Sequence, residues 1–119
     1  MSVILIAGKD WTSRALLRAQ LIEEGFDAEG YESIDDTVKR LWSSNVVPSL
    51  LIVDLFESDN PAQDISTLSR WAKTVPIWIL AGHGATAQGL EGRGFERVLY
   101  RPLDMGKLVG DIKERLARL

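Results

Sequence analysis

Two hydrophobic periods alternate along the chain. Val3-Ile4-Leu5-Ile6-Ala7 is an unbroken apolar run of strand length, the pattern of a strand covered on both faces. Leu16, Leu17, Gln20 and Leu21 then recur at helical spacing between about Thr12 and Glu24, and Gly25 supplies a C-terminal stop. A weaker strand is expected at about Ala28 to Tyr31. Ser33 with Asp36 three residues on has the form of a helix start, and Ile34, Val38, Leu41 and Trp42 line one face of a second helix. Pro48 breaks the chain before the strongest strand, Leu50-Leu51-Ile52-Val53-Asp54-Leu55. A polar loop, Glu57 to Pro61, leads to a third helix with Ile65, Leu68 and Trp71 or Ala72 inward. Pro76 to Ala81 is a fourth strand, ending at Gly82-His83-Gly84. The fourth helix expected next is the poorest, because Gly84, Gly89, Gly92 and Gly94 each cost about 1 kcal/mol relative to Ala. Val98-Leu99-Tyr100 makes a fifth strand, closed by Arg101-Pro102. Asp104 caps a last helix whose inward face is Met105, Leu108, Val109, Ile112, Leu116 and Leu119.

Five strands and five helices in strict alternation need crossover connections, which make the strands parallel and place helices on both faces. The expected fold is therefore α/β, a doubly wound (βα)5 parallel sheet. With no repeat or linker in residues 1–119, it forms one domain. In such sheets function sits outside the carboxyl ends of the strands, where strand order reverses. The common order 2-1-3-4-5 puts that crevice between the first and third strands. Gly8, Lys9 and Asp10 reach it from the first strand and Asp54 to Glu57 from the third, with Ala81 to Gly84 and Arg101-Pro102 close by. Asp54 stands out: it is a carboxylate closing a run of Leu, Ile and Val, where a charge is costly unless exposed or paired. It either carries chemistry or merely caps a loop, and its place at the switch point favours the first.

Composition narrows the function without changing the fold. The net charge is −3, from 14 Lys and Arg against 17 Asp and Glu. No basic block occurs, so direct nucleic-acid binding is not expected. Lys107, Lys113, Arg115 and Arg118 are interspersed with Asp111 and Glu114 and read as a solvated face. The absence of Cys excludes disulfides, thiolate metal sites and Cys nucleophiles. No span of about 20 apolar residues and no leader-like start is present, so a cytoplasmic protein without a membrane segment is expected.

With these elements in place, the whole chain resembles a bacterial two-component response-regulator receiver domain, a flavodoxin-like fold. The matching parts are the strand at Val3 to Ala7, Leu51-Ile52-Val53-Asp54-Leu55, and the Arg101-Pro102-Leu103-Asp104 turn before the last helix. The resemblance implies that Asp54 is the phosphoacceptor, served by a histidine kinase or a small phosphodonor. It also implies that Arg101 stands where the family has a Lys before Pro that contacts the phosphoryl group, a planar fork in place of a point charge. Three further departures from the family involve four positions. Gly8 and Lys9 replace the acidic pair that holds Mg²⁺, leaving Asp10 one residue late to share a metal with Asp54. Ala81 replaces the Thr or Ser that turns toward the phosphoryl group. Val98 replaces the aromatic switch residue. Mg²⁺ is thus expected only where phosphorylation is retained, at a degenerate site. Lys9 and Arg101 could instead pair with Asp54 and give a constitutive binding surface.

The leading expectation is a receiver-type signalling module of a phosphorelay. Its output domain or homodimer partner would meet the face of the predicted fourth helix, fifth strand and fifth helix, as in the family. The alternatives are a phosphorylation-independent pseudo-receiver acting as a protein-interaction domain, and a small-ligand or nucleotide-binding module. An enzyme is not expected: Thr12, Ser13 and the single His83 make no triad, and Gly82-His83-Gly84 lacks a P-loop Lys. Trp42, Trp71 and Trp78 read as core residues. Trp11 reads as core or rim packing, with covering of the crevice as its other use.

Overall fold

The computed structural model describes residues 3–45, 47–82 and 89–117. Five strands, β1 (Val3–Ala7), β2 (Asp27–Tyr31), β3 (Leu50–Asp54), β4 (Ile77–Ala81) and β5 (Arg97–Tyr100), form one sheet in the order β2-β1-β3-β4-β5. Every neighbouring pair is parallel. Among the described residues four helices accompany them: α1 (Trp11–Glu23), α2 (Ile34–Ser43), α3 (Pro61–Trp71) and α4 (Met105–Ala117). The doubly wound sheet, its strand order and its switch point between β1 and β3 are those expected from the sequence.

Alternation along the strands divides the core in two. Leu5, Ala7, Leu51, Val53, Ile77 and Ile79 face one way and meet Leu41 of α2 with Ile65 and Leu68 of α3. Ile4, Ile6, Leu50, Ile52, Trp78 and Leu80 face the other way and meet Leu17 and Leu21 of α1 with Leu108, Val109 and Ile112 of α4. The three central strands are buried along nearly their whole length, which explains their unbroken apolar sequence. Helix starts follow the sequence signals: Ser33 Oγ accepts from the Asp36 amide at 3.0 Å, and Asp104 Oδ1 accepts from that of Lys107 at 3.0 Å.

The predicted fourth helix falls in part on residues 83–88, which lie outside the described residues. Between β4 and β5 the described residues form turns and bends, with Gly92 at φ 74° and Gly94 at φ 90°, left-handed values that glycine adopts freely. Leu90 is buried there against the α2–α3 side of the sheet. His83 and Gly84 lie outside the described residues.

The tryptophans divide as well. Trp78 is core, with its indole N–H donated to Glu96 Oε2 at 2.6 Å. Trp71 is half-buried against the core, but Trp42 is 76% exposed and Trp11 68% exposed. Trp42 follows Leu41 by 100° around α2, which carries it off the buried line toward α3. Helix α1 differs from the other three. Leu17 and Leu21 point inward, while Trp11, Ala15, Leu16, Ala19 and Ile22 are exposed, so its outward side is apolar too.

Candidate functional site

Asp54 ends β3, and its pairing with Leu80 of β4, next to the Val53–Ala7 pairing with β1, fixes its backbone at the switch point. The side chain is only 10% exposed and both its oxygens are engaged. Oδ1 accepts the Phe56 amide at 3.0 Å, a local turn that a carboxylate makes two residues on. Oδ2 accepts from Arg101 Nη2 at 2.5 Å. Arg101 stands just after β5, where its amide bonds the Ala81 carbonyl at 2.9 Å and its peptide bond to Pro102 is cis. Its guanidinium also lies 4.8 Å from the centre of the Phe56 ring, at cation–π distance. Asp54, Arg101 and Phe56 thus form one unit: a carboxylate, a planar cation and an aromatic cover.

The other expected site residues surround that unit without joining it. Lys9 is exposed, and its ammonium pairs with Asp59 Oδ2 at 2.5 Å rather than with Asp54. That hydrogen bond, before Coulombic attraction, raises its pKa above the ordinary lysine value. Asp10 is the N-cap of α1, accepting from the Thr12 amide at 3.3 Å and from Ser13 Oγ at 2.8 Å. Gly8 brings β1 against β3 so closely that a Cβ on it would lie 3.1 Å from Asp54 Cβ. Its carbonyl accepts from Arg14 Nη1. Ala81 is buried beside the pair and offers no hydroxyl. Val98 packs against the α2–α3 side of the core as an aliphatic strand residue.

These residues do not make a Mg²⁺ site. The ion requires an octahedron of hard oxygens. Here Asp54 has a guanidinium on one oxygen and an amide on the other, Lys9 is a cation, Gly8 has no side chain, and Asp10 spends both oxygens on its cap. Asp10 and Asp54 do line the same cavity of about 120 Å³, with Arg14 and Arg101 on its wall. Among the described residues no group of three His, Cys, Asp or Glu is placed to hold a metal ion.

Sequence reasoning gave no role to two residues at this end of the sheet, Phe56 and Asp59. Phe56 had a local signal, since an Asp commonly bonds the amide two residues on. Its ring over Arg101 had none. Asp59 was visible only as an acid in a loop at the same end of the sheet as Lys9.

No protein-family model and no curated protein matches the chain. Solved structures do. A response regulator receiver domain protein from Clostridium thermocellum superposes with a TM-score of 0.79 at 16% identity, over 99% of this chain and 96% of that one. The receiver domain of the Francisella response regulator 1452 gives 0.80 at 19% identity, over 99% and 98%. The receiver domain of NtrX from Brucella abortus gives 0.77 at 20% identity, over 98% and 99%. With this strand order, these two helical layers and an Asp at the end of β3, the chain has the fold of response regulator receiver domains.

Proposed function

We propose that this chain is a receiver-type signalling module that works through protein–protein contacts. In this reading Asp54 is neutralised by Arg101 rather than by a metal-assisted phosphoryl group. The observation that carries it is the Arg101–Asp54 ion pair, at 2.5 Å with the carboxylate nearly closed off from solvent. A phosphoryl group on Asp54 would need a cation to balance developing charge and an alignment of the donor. Arg101 supplies the positive charge already, against the unmodified carboxylate. Gly8, Lys9 and Ala81 supply neither metal ligands nor a hydroxyl. The apolar outward side of α1 supports a partner that is a protein, since Trp11, Leu16 and Ile22 are large exposed side chains on a single helix. That partner is a kinase of the two-component type or another signalling protein.

A second reading keeps phosphorylation at Asp54 as a regulated event, and it rests on the position of Asp54 at the switch point. The two readings separate in one experiment. The protein and its Asp54→Asn variant are incubated with acetyl phosphate and Mg²⁺, and intact masses are recorded over time. No phosphoryl adduct above the variant's background is expected. Stoichiometric, Asp54-dependent addition of a phosphoryl mass would overturn the phosphorylation-independent reading and establish the second.

A further inference from the structure

The end of the molecule opposite Asp54 carries an aromatic pair that the site does not use. Helices α2 and α3 run back against the strands, so their last turns lie at the amino-terminal edge of the sheet. There Trp42 and Trp71 meet edge to face, with ring centres 5.2 Å apart and planes crossing at 74°. Trp71 is anchored against the core, while Trp42 stands out, with Val47 exposed on the connection to β3. The surrounding chain is basic. From Thr37 to Ser49 and from Ile65 to Pro76 there is no acidic residue, in a protein whose net charge is −3. Lys39 lies one helical turn from Trp42 on the same side of α2, and Arg70 shares the last turn of α3 with Trp71. Lys73 follows. None of the ion pairs among the described residues uses Lys39, Arg70 or Lys73.

We infer that this end is a docking site for an acidic segment of a partner protein that inserts an apolar anchor against Trp42 and Trp71. A large aromatic ring on a fixed base, ringed by charge, is the composition of interface anchor points. The unpaired cations select the charge of what binds. Local basic charge on an acidic molecule favours a short acidic segment over a polyanion: a nucleic acid or an anionic membrane would feel the net charge of −3 as repulsion. Rings crossed at 74° also make no continuous stacking platform for bases. A second copy of the chain could present its own acidic loop at Phe56 to Asp59. Head-to-tail contact of that kind would propagate rather than close.

The test uses the full chain labelled with ¹⁵N and follows the indole signals of Trp42 and Trp71, identified with Trp42→Phe and Trp71→Phe. The probe is a twelve-residue peptide alternating Glu with Leu or Phe; its counterpart carries Lys for Glu. Saturable shifts at these two indoles are expected with the acidic peptide, half-complete at roughly 0.1 mM, the level of small transient contacts. Replacing Lys39 and Arg70 together by Glu should weaken binding at least about tenfold with the fold intact by circular dichroism. Asp54→Asn should bind as the parent does, which keeps this result separate from the phosphodonor experiment. The inference is overturned by equal binding of the lysine peptide or by no saturation at millimolar peptide. Tighter binding of oligothymidylate or of phosphatidylserine vesicles at the same ionic strength would overturn it too. So would concentration-dependent self-association that shifts the same indoles without peptide.

Discussion

Asp54 and Arg101 form an ion pair at the carboxyl end of the sheet that is far less exposed than the Lys9–Asp59 pair beside it. Both are largely withdrawn from solvent, and Arg101 Nε is buried without a hydrogen-bond partner in the structure. A guanidinium left in that position keeps its place through the carboxylate and the Phe56 ring. Arg101→Met should therefore destabilise the protein by about 2–3 kcal/mol, most of it the cost of an uncompensated carboxylate. Asp54→Asn should cost less, because the amide can still accept from Arg101. The double variant should lose less than the two single losses added together, and urea denaturation of the four proteins measures the coupling directly. Strict additivity would show that the pair is an incidental contact. Gly8 is a second sensitive position. A methyl group there meets Asp54 Cβ at 3.1 Å, so either the β1–β3 approach or the Asp54 side chain must give. Gly8→Ala should cost about 1–2 kcal/mol by the same measurement, and it should be partly relieved in an Asp54→Ala background.

Helix α1 shows why one face of an element was legible in the sequence and the other was not. Leu16, Leu17, Gln20 and Leu21 share a helical stripe on paper, but only Leu17 and Leu21 are buried, while Leu16 is about half exposed. Composition alone does not say which side of an evenly apolar helix meets the sheet; the sheet decides. Leu17→Ala should cost about 2–4 kcal/mol, as a fully buried Leu does. Leu16→Gln with Ile22→Gln should stay within about 0.5 kcal/mol of the parent, and both follow from thermal or urea unfolding. A large loss in the outward pair would mean that this side is covered by something in solution. Strands and strand order were legible because three of the five are buried on both faces and read as unbroken apolar runs. In the described end of the connection between β4 and β5, the glycines were legible as turn formers, but the burial of Leu90 was not. At the site, Asp54 and Arg101 could be placed from sequence because Asp54 ends β3 and Arg101 directly follows β5. The choice of partner could not. Lys9 and Arg101 were equal candidates for Asp54, and the decision rests on where β5 ends and on the presence of Asp59 opposite Lys9.

Across the whole molecule, the two open edges of the sheet are tied down by the same device. At one edge Glu29 of β2 accepts from Arg40 of α2 at 2.8 Å and from the Tyr31 hydroxyl at 2.6 Å. At the other, Glu96, just before β5, accepts two bonds from Arg115 of α4, at 2.9 and 2.7 Å, and one from buried Trp78 at 2.6 Å. The Arg40 bond, then that of Tyr31, holds the Glu29 carboxyl below its ordinary value of 4.5. The Arg115 bonds do the same for Glu96 against the upward push of burial, with Trp78 contributing less. Both carboxyls are therefore more acidic folded than unfolded. Their contribution is complete above the unfolded value near 4.5 and is lost as pH falls through the lower folded values. Each tie is half-exposed, so it should contribute only about 0.5–1 kcal/mol at neutral pH. Because they sit at opposite edges, acid should loosen β2 and β5 before the central strands open. Hydrogen exchange at pH 7 and pH 3.5, corrected for intrinsic rates, should show protection falling first in β2 and β5 while β1, β3 and β4 hold. Glu29→Gln and Glu96→Gln should each flatten the acid limb of stability against pH and lose their difference from the parent once acid has protonated the folded carboxyls. A uniform loss of protection across all five strands would instead mean that the edge ties are not where acid first acts.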